Sequence, residues 1–224
     1  MPKGSNTIRE IPQSGLECVG NVDDGTVVDV IRLALECLAV FQKDFVLEVS
    51  HLQIVSAFLD LITRDFDIRD EILFKMSEKN QHSIRELAAK YELDKDAIER
   101  LIDLMKIYGK PERVVPKLKS LISKVTHEEL PSEVERLINI LDILADTDHA
   151  DRVRVDFSLV GDMKYYNGLI FKGFIKGIPD RLRRWQKPRR RCFRCLLFRQ
   201  GPCRSPGRRI SFRIQRHSGS MRRR

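Results

Sequence analysis

The sequence predicts a mixed α/β fold, an antiparallel sheet core carrying a helical insertion, on three observations. Val153 to Leu159 and Leu169 to Ile175 have strand character, residues 8–62 read strand, helix, strand, helix, and residues 64–148 are almost wholly helical in pattern. Strands and helices that alternate along the chain bury their apolar faces by stacking in layers. A chain of 224 residues is long enough for one such domain with a core, or for a domain with an appendage.

The elements follow in order. Ile8 to Gly20 reads as a short strand that ends in a turn at Asn21 to Gly25. Gly25 to Gln42 places Val27, Ile31, Leu35 and Leu38 at helical spacing, Phe45 to Val49 is a short strand, and Leu52 to Ile62 is a helix with Val55, Phe58, Leu59 and Ile62 on one stripe. In the insertion, Ser83 with Glu86 and Ser132 with Glu135 have the spacing of capping boxes, and Asp94 is placed to cap a helix that stops before Gly109 and Pro111. These apolar stripes are ordinary core faces. His51, His82, His127 and His149 are isolated from one another in sequence and read as structural rather than as ligands.

After the insertion, Val153, Val155, Phe157 and Leu159 are apolar and Arg154, Asp156 and Ser158 polar, the period of a half-buried strand. Leu169 to Ile175 reads as its antiparallel partner, opened by the turn-forming pair Asn167-Gly168. Tyr165 and Tyr166 then sit at a strand edge, pointing to opposite faces, so at most one of them meets any single ligand. Standing alone, such a pair reads first as sheet packing.

Charge divides the chain sharply. Of 41 basic residues, 16 fall in 182–224, which holds no Asp or Glu; the 25 that remain face 32 acidic residues, so the body carries −7 and the tail +16. The tail lacks sustained periodicity and its arginines repel, which predicts disorder when unbound. Read functionally it is a phosphate-binding arm without sequence preference; read blandly it is the product of a reading-frame slip, because the composition changes without a linker. Cys192-Phe-Arg-Cys195 has metal-ligand spacing and His217 is a possible further ligand, but one such pair is weak evidence for zinc. No metal or cofactor is therefore expected. No phosphate loop, HExxH or nucleophile elbow occurs. The first residues lack the apolar segment of a signal peptide, which makes a reduced cytoplasmic setting the expectation.

Two segments carry a family resemblance. Arg9-Glu10-Ile11-Pro12-Gln13-Ser14-Gly15-Leu16-Glu17, continuing to Gly20, resembles the second half of class II motif 2 in histidyl-tRNA synthetases and in their paralogue, the regulatory subunits of ATP phosphoribosyltransferase. Val160 to Phe174 resembles the histidine-specific tyrosine motif of the same group. The resemblance covers residues 1–181 and implies an incomplete class II aminoacyl-tRNA synthetase-like sheet core. On this reading 1–63 and 149–181 are core, 64–148 the insertion and 182–224 the tail.

By that resemblance Gln13, Glu17 and Tyr165 or Tyr166 contact bound histidine. A carboxylate and a phenol suit the two imidazole nitrogens, and an amide suits the charged amino-acid backbone. Synthetases usually read Arg-Gly-Leu-Asp before the tyrosines, where this chain has Gly161-Asp162-Met163-Lys164. The activating cation is missing at that position, as are motif 1, the first half of motif 2 and motif 3. The resemblance thus implies a non-catalytic regulatory subunit, or a fragment of one, that pairs with a short catalytic subunit and senses histidine in the first step of histidine biosynthesis. The alternative is a fragment of a histidyl-tRNA synthetase.

Overall fold

The computed structural model describes residues 13–20, 23–41, 44–161, 168–175, 191–193, 198–199 and 208–215. Strand β1 is Gln13–Gly20, helix α1 Asp24–Phe41, β2 Phe45–His51 and α2 Leu52–Asp60. The insertion supplies α3 Phe66–Ser77, α4 Gln81–Lys90, α5 Lys95–Lys106, β3 Tyr108–Gly109, α6 Pro111–Ile122 and α7 Leu130–Ala145. A 3-10 turn at Ala150–Arg152 leads into β4 Val153–Asp156, and β5 is Leu169–Ile175. Within the tail, β6 is Arg191–Phe193, β7 Phe198–Arg199 and β8 Arg208–Gln215.

The larger sheet has the order β3-β4-β2-β5-β6. β2 is parallel to β4 and antiparallel to β5, so the sheet is mixed. The expected hairpin between the strand at Val153 and that at Leu169 does not form, because β2 lies between them. Local chemistry explains part of this. Asp156 Oδ1 accepts from the Ser158 backbone N–H at 2.8 Å, and Leu159 N–H donates to Asp156 O at 3.0 Å, which turns the chain out of the strand at Asp156 rather than Leu159. Parallel neighbours need a long crossover. Helices α2 to α7 provide it, so the insertion is also the connection that makes β4 a neighbour of β2.

One apolar cluster runs through α1, the sheet and the insertion helices. Leu47 and Val49 of β2, Ile31 and Leu35 of α1, Phe58 of α2 and Phe157 all have no exposed surface. Each contributes about 1.5–3 kcal/mol through burial of its apolar side chain. α1 packs close to the sheet at Gly173, where an added Cβ would stand 2.7 Å from Leu38 Cδ1. Leu47 pairs with Gly173 and with Val153, which identifies the helix-covered face of the three central strands.

Capping departs from the expected boxes at two helices. Asn80, not Ser83, caps α4, its side chain accepting from Ser83 N at 3.1 Å. α7 begins two residues before Ser132, whose hydroxyl donates to Glu129 O at 2.8 Å instead of capping. Asp94 caps α5 as expected, accepting from Asp96 N and Ala97 N.

The second sheet has the order β1-β8-β7, and β6 extends the larger sheet beside β5. Residues 191–193, 198–199 and 208–215 are thus paired strands within the region whose composition predicts disorder. No helix among the described residues is long and apolar enough to cross a membrane.

Candidate functional site

Gln13 and Glu17 occupy positions of like parity on β1, opposite Gln215 and Ser211 of β8. Tyr165 and Tyr166 lie outside the described residues, as do Asp162 to Asn167. The described chain resumes at Gly168, whose φ of 88° is a left-handed conformation that favours glycine, immediately before β5. β1 belongs to one sheet and β5 to the other. Among the described residues, therefore, Gln13 and Glu17 are brought onto one strand, and the structure does not join them to the tyrosine motif.

What the structure does assemble is a polar sheet face. Glu48 of β2 lies opposite Lys172 of β5 on one side and Arg154 of β4 on the other. Asp156, two residues beyond Arg154, shares this face and pairs across β3 with Tyr108. Lys79, just past α3, closes the group: its Nζ is 2.6 Å from Asp156 Oδ2 and 5.1 Å from the centre of the Tyr108 ring. Asp156 itself is buried. Burial, then repulsion from Asp156, pushes the Glu48 carboxyl above the ordinary glutamate value, and Lys79, Lys172 and a hydrogen bond from Tyr108 offset only part of this. Carboxylates, ammonium groups and a phenol that already contact one another suit holding a polar ligand by exchange of hydrogen bonds. The sequence signal for this face was a single charge inside each apolar run, Glu48 between Leu47 and Val49 and Lys172 between Phe171 and Gly173.

The other face of β2 carries a second polar feature, also missed from sequence, at the last residue of the strand. His51 is 1% exposed, and its Nε2 lies 3.4 Å from Oε2 of Glu133 in the first turn of α7. Burial, reinforced by the positive charge of Arg136, pushes the imidazole down to about 3, so it is neutral at physiological pH and the contact is not a salt bridge despite its length. Burial also raises Glu133. His51 Nδ1 and Glu133 Oε2 have no hydrogen-bond partner, and neither does the Ser50 hydroxyl, which belongs to the opposite face. Arg136, one turn along α7, donates from Nε to Asp24 Oδ1 at 2.7 Å at the start of α1.

A cleft of about 700 Å³ opens where α2 ends, α3 begins and the chain approaches α7, lined by Asp60, Arg64, Phe66, Arg69, His127 and Glu129 among others. Asp60 and Arg69 are paired there, and His127 Nε2 lies 3.8 Å from Asp60. Among the described residues no group of three or more His, Cys, Asp or Glu side chains could hold a metal ion. Cys192 lies on β6, and Cys195 and His217 lie outside the described residues.

Comparison with known proteins agrees with this architecture. An ATP phosphoribosyltransferase regulatory subunit from Caldanaerobacter subterraneus subsp. tengcongensis is 29% identical over 175 residues, covering 76% of this chain and 44% of that protein. A histidine–tRNA ligase from Pyrococcus abyssi is 26% identical over 173 residues, covering 76% of this chain and 39% of the ligase. The chain thus spans less than half the length of either relative. The solved ATP phosphoribosyl transferase (HisG:HisZ) complex from Thermotoga maritima contains a chain of the same fold, with a TM-score of 0.63 at 18% identity, covering 92% of this chain and 66% of that one. The family model described as histidyl-tRNA synthetase matches residues 1–184 and ends beside the change of composition at the tail, and by that match the chain belongs to the histidyl-tRNA synthetase family.

Proposed function

We propose that this chain is part of a regulatory subunit of ATP phosphoribosyltransferase, one that binds histidine and performs no chemistry of its own. The observation that carries this reading is the run Gly161-Asp162-Met163-Lys164 ahead of Tyr165-Tyr166, which lacks the arginine that synthetases use to activate the amino acid. The relative from Caldanaerobacter subterraneus, itself a regulatory subunit, supports it. Gln13, Glu17 and Tyr165 or Tyr166 are the proposed histidine contacts, and rejection of apolar analogues would follow from leaving those polar groups unpaired. The proposed partner is a short-form catalytic subunit in a hetero-oligomer, by analogy with the HisG:HisZ complex solved for the Thermotoga maritima protein. Feedback inhibition then requires histidine to bind the two states of the assembly with different affinity.

Calorimetry tests the pocket. Histidine should bind the wild-type chain, and Glu17→Gln and Tyr166→Phe should each weaken it; unchanged affinity in both removes these residues from the site. The second reading, a piece of a histidyl-tRNA synthetase, is favoured by the ligase from Pyrococcus abyssi. Histidine-dependent exchange of pyrophosphate into ATP separates the two, and robust exchange would sink the regulatory reading.

A further inference from the structure

We propose that the cleft between the end of α2, the start of α3 and the approach to α7 binds a guanidinium-bearing ligand, either free arginine or an arginine of a peptide. The inference goes beyond the reading above and does not depend on it, because none of the proposed histidine contacts takes part.

At about 700 Å³ the cleft has the size of small-molecule sites, which run from about 300 to 1,000 Å³. Part of its base is fixed. Arg69 donates from Nη2 to Asp60 Oδ1 and from Nε to Thr63 O, the latter at 2.7 Å, so this guanidinium is committed to the protein. Two groups at the base are not committed. Asp60 Oδ2 lies 3.8 Å from His127 Nε2, beyond hydrogen-bond reach. His127 Nδ1 has no partner either, so a cation arriving at Asp60 breaks no hydrogen bond of the imidazole.

The rim supplies the rest. Arg64, Glu128 and Glu129 are exposed, and among the described residues none of these three side chains makes a hydrogen bond or an ion pair. Glu129 even stands at the N-cap of α7 without capping it. Phe66, the first residue of α3, is 68% exposed. One exposed ring means little by itself. Here it lines a cleft that also carries carboxylates, the combination that holds a planar cation by stacking and by paired hydrogen bonds.

Charge selects among ligands. With Asp60 and Arg69 paired, the two glutamates exceed Arg64 by one charge, so the cleft favours a ligand of one net positive charge. Arginine carries two cationic groups and one carboxylate, which match Glu128, Glu129 and Arg64 in kind and number. A phosphate would face three carboxylates, and an apolar ligand would desolvate them without pairing them. The flat fork of a guanidinium also stacks on a ring while it pairs with a carboxylate, a geometry that the compact ammonium of lysine lacks.

Calorimetry on the full chain tests this with L-arginine, N-acetyl-L-arginine amide, L-citrulline and inorganic phosphate. L-Arginine should bind at one site. L-Citrulline has nearly the same shape with an uncharged urea and should bind at least about tenfold more weakly, which corresponds to about 1.4 kcal/mol. Phe66→Ala and the double variant Glu128→Gln with Glu129→Gln should each weaken L-arginine to a similar extent. All these positions are exposed, and thermal melts close to wild type verify that the variants fold. Arg64→Ala separates the two sources. Weakened binding of L-arginine alone, with the amide the poorer ligand of wild type, identifies the free amino acid; an amide that binds as tightly, with neither ligand affected in R64A, identifies an arginine side chain of a peptide. The inference is overturned if neither arginine compound binds, if L-citrulline equals L-arginine, if binding survives undiminished in both F66A and E128Q/E129Q, or if phosphate binds more tightly than arginine.

Discussion

Lys79 Nζ donates to Asp156 Oδ2 at 2.6 Å across 77 residues, joining the end of α3 to the last residue of β4. The lysine reaches it from a left-handed backbone, φ 56°, at the C-terminal end of α3. Two backbone hydrogen bonds form the helix stop: Asn80 N to Lys75 O at 3.0 Å, and Lys79 N to Met76 O at 2.8 Å. Burial works against the ammonium, but the hydrogen bond and charge of Asp156, with Glu48 behind it, raise its affinity for the proton on balance. Only 2% of the Asp156 side chain is exposed, against 58% of Lys79.

That asymmetry gives opposite effects at one position. Lys79→Ala strips the partner from a buried carboxylate, a loss of about 1–3 kcal/mol, toward the lower end because water reaches the lysine side. Lys79→Gly loses the same partner but relieves the left-handed backbone by about 1 kcal/mol. Glycine is thus expected to be the milder replacement, the reverse of the usual order in helical segments. Urea unfolding of both variants reads the difference, and alanine as the milder change would contradict the geometry of the α3 stop.

His51 should make the fold sensitive to acid. Its folded value of about 3 lies below the ordinary 6.5, so as pH falls through 6.5 the unfolded chain takes up a proton that the native one refuses. Stability from this source is complete above pH 6.5 and is lost progressively down to about pH 3. Glu133 and Glu48 are raised and act the other way: their contribution is present below the ordinary glutamate value and is lost as pH rises through the folded one. Comparison with His51→Leu isolates the histidine. Between pH 7.5 and 5, wild type should lose about 2 kcal/mol more stability than H51L by denaturant titration. Parallel curves would show that the imidazole is not held neutral.

Element existence was legible because apolar periodicity reports which face meets a core: α1 buries Val27, Ile31, Leu35 and Leu38 as expected, and α2 buries Val55, Phe58 and Leu59, while Ile62 lies past the end of α2 and is only partly buried. Pairing was not legible. Nothing in Val153 to Leu159 shows that β2, more than a hundred residues earlier, will occupy the place beside it, because edges are chosen by burial of the whole sheet. The polar side chains of the face around Glu48 come from β2, β3, β4, β5 and the α3 stop, so no local spacing encodes them. The histidine contacts were inferred from two local motifs, which is why sequence names them while the described strands alone do not assemble them.

Caps show a narrower limit. Ser83 has the right spacing to Glu86 for a capping box, yet Asn80 caps α4, because an Asn three residues earlier satisfies Ser83 N and lets the helix start sooner. Asn80→Ala should cost about 1 kcal/mol and Ser83→Ala a few tenths at most. Thermal melts of the two variants check this, and the reverse order would restore Ser83 as the cap.

Gly173 is the position where a single methyl group reports on the seating of α1. Its backbone lies in β5 opposite Leu47, and an added Cβ would meet Leu38 Cδ1 at 2.7 Å and Cδ2 at 2.9 Å. The ends of a leucine can often swing aside, but Leu38 is 2% exposed and belongs to the central cluster, so displacement passes the strain to its neighbours. Gly173→Ala is therefore expected to destabilise by about 1–3 kcal/mol through overpacking. Leu38→Val in the same chain should recover part of that loss, and residues in contact show coupling of this kind where distant ones add. If the two substitutions merely add in urea unfolding, α1 does not rest on β5 at this point and the helix-covered face of the sheet must be redrawn.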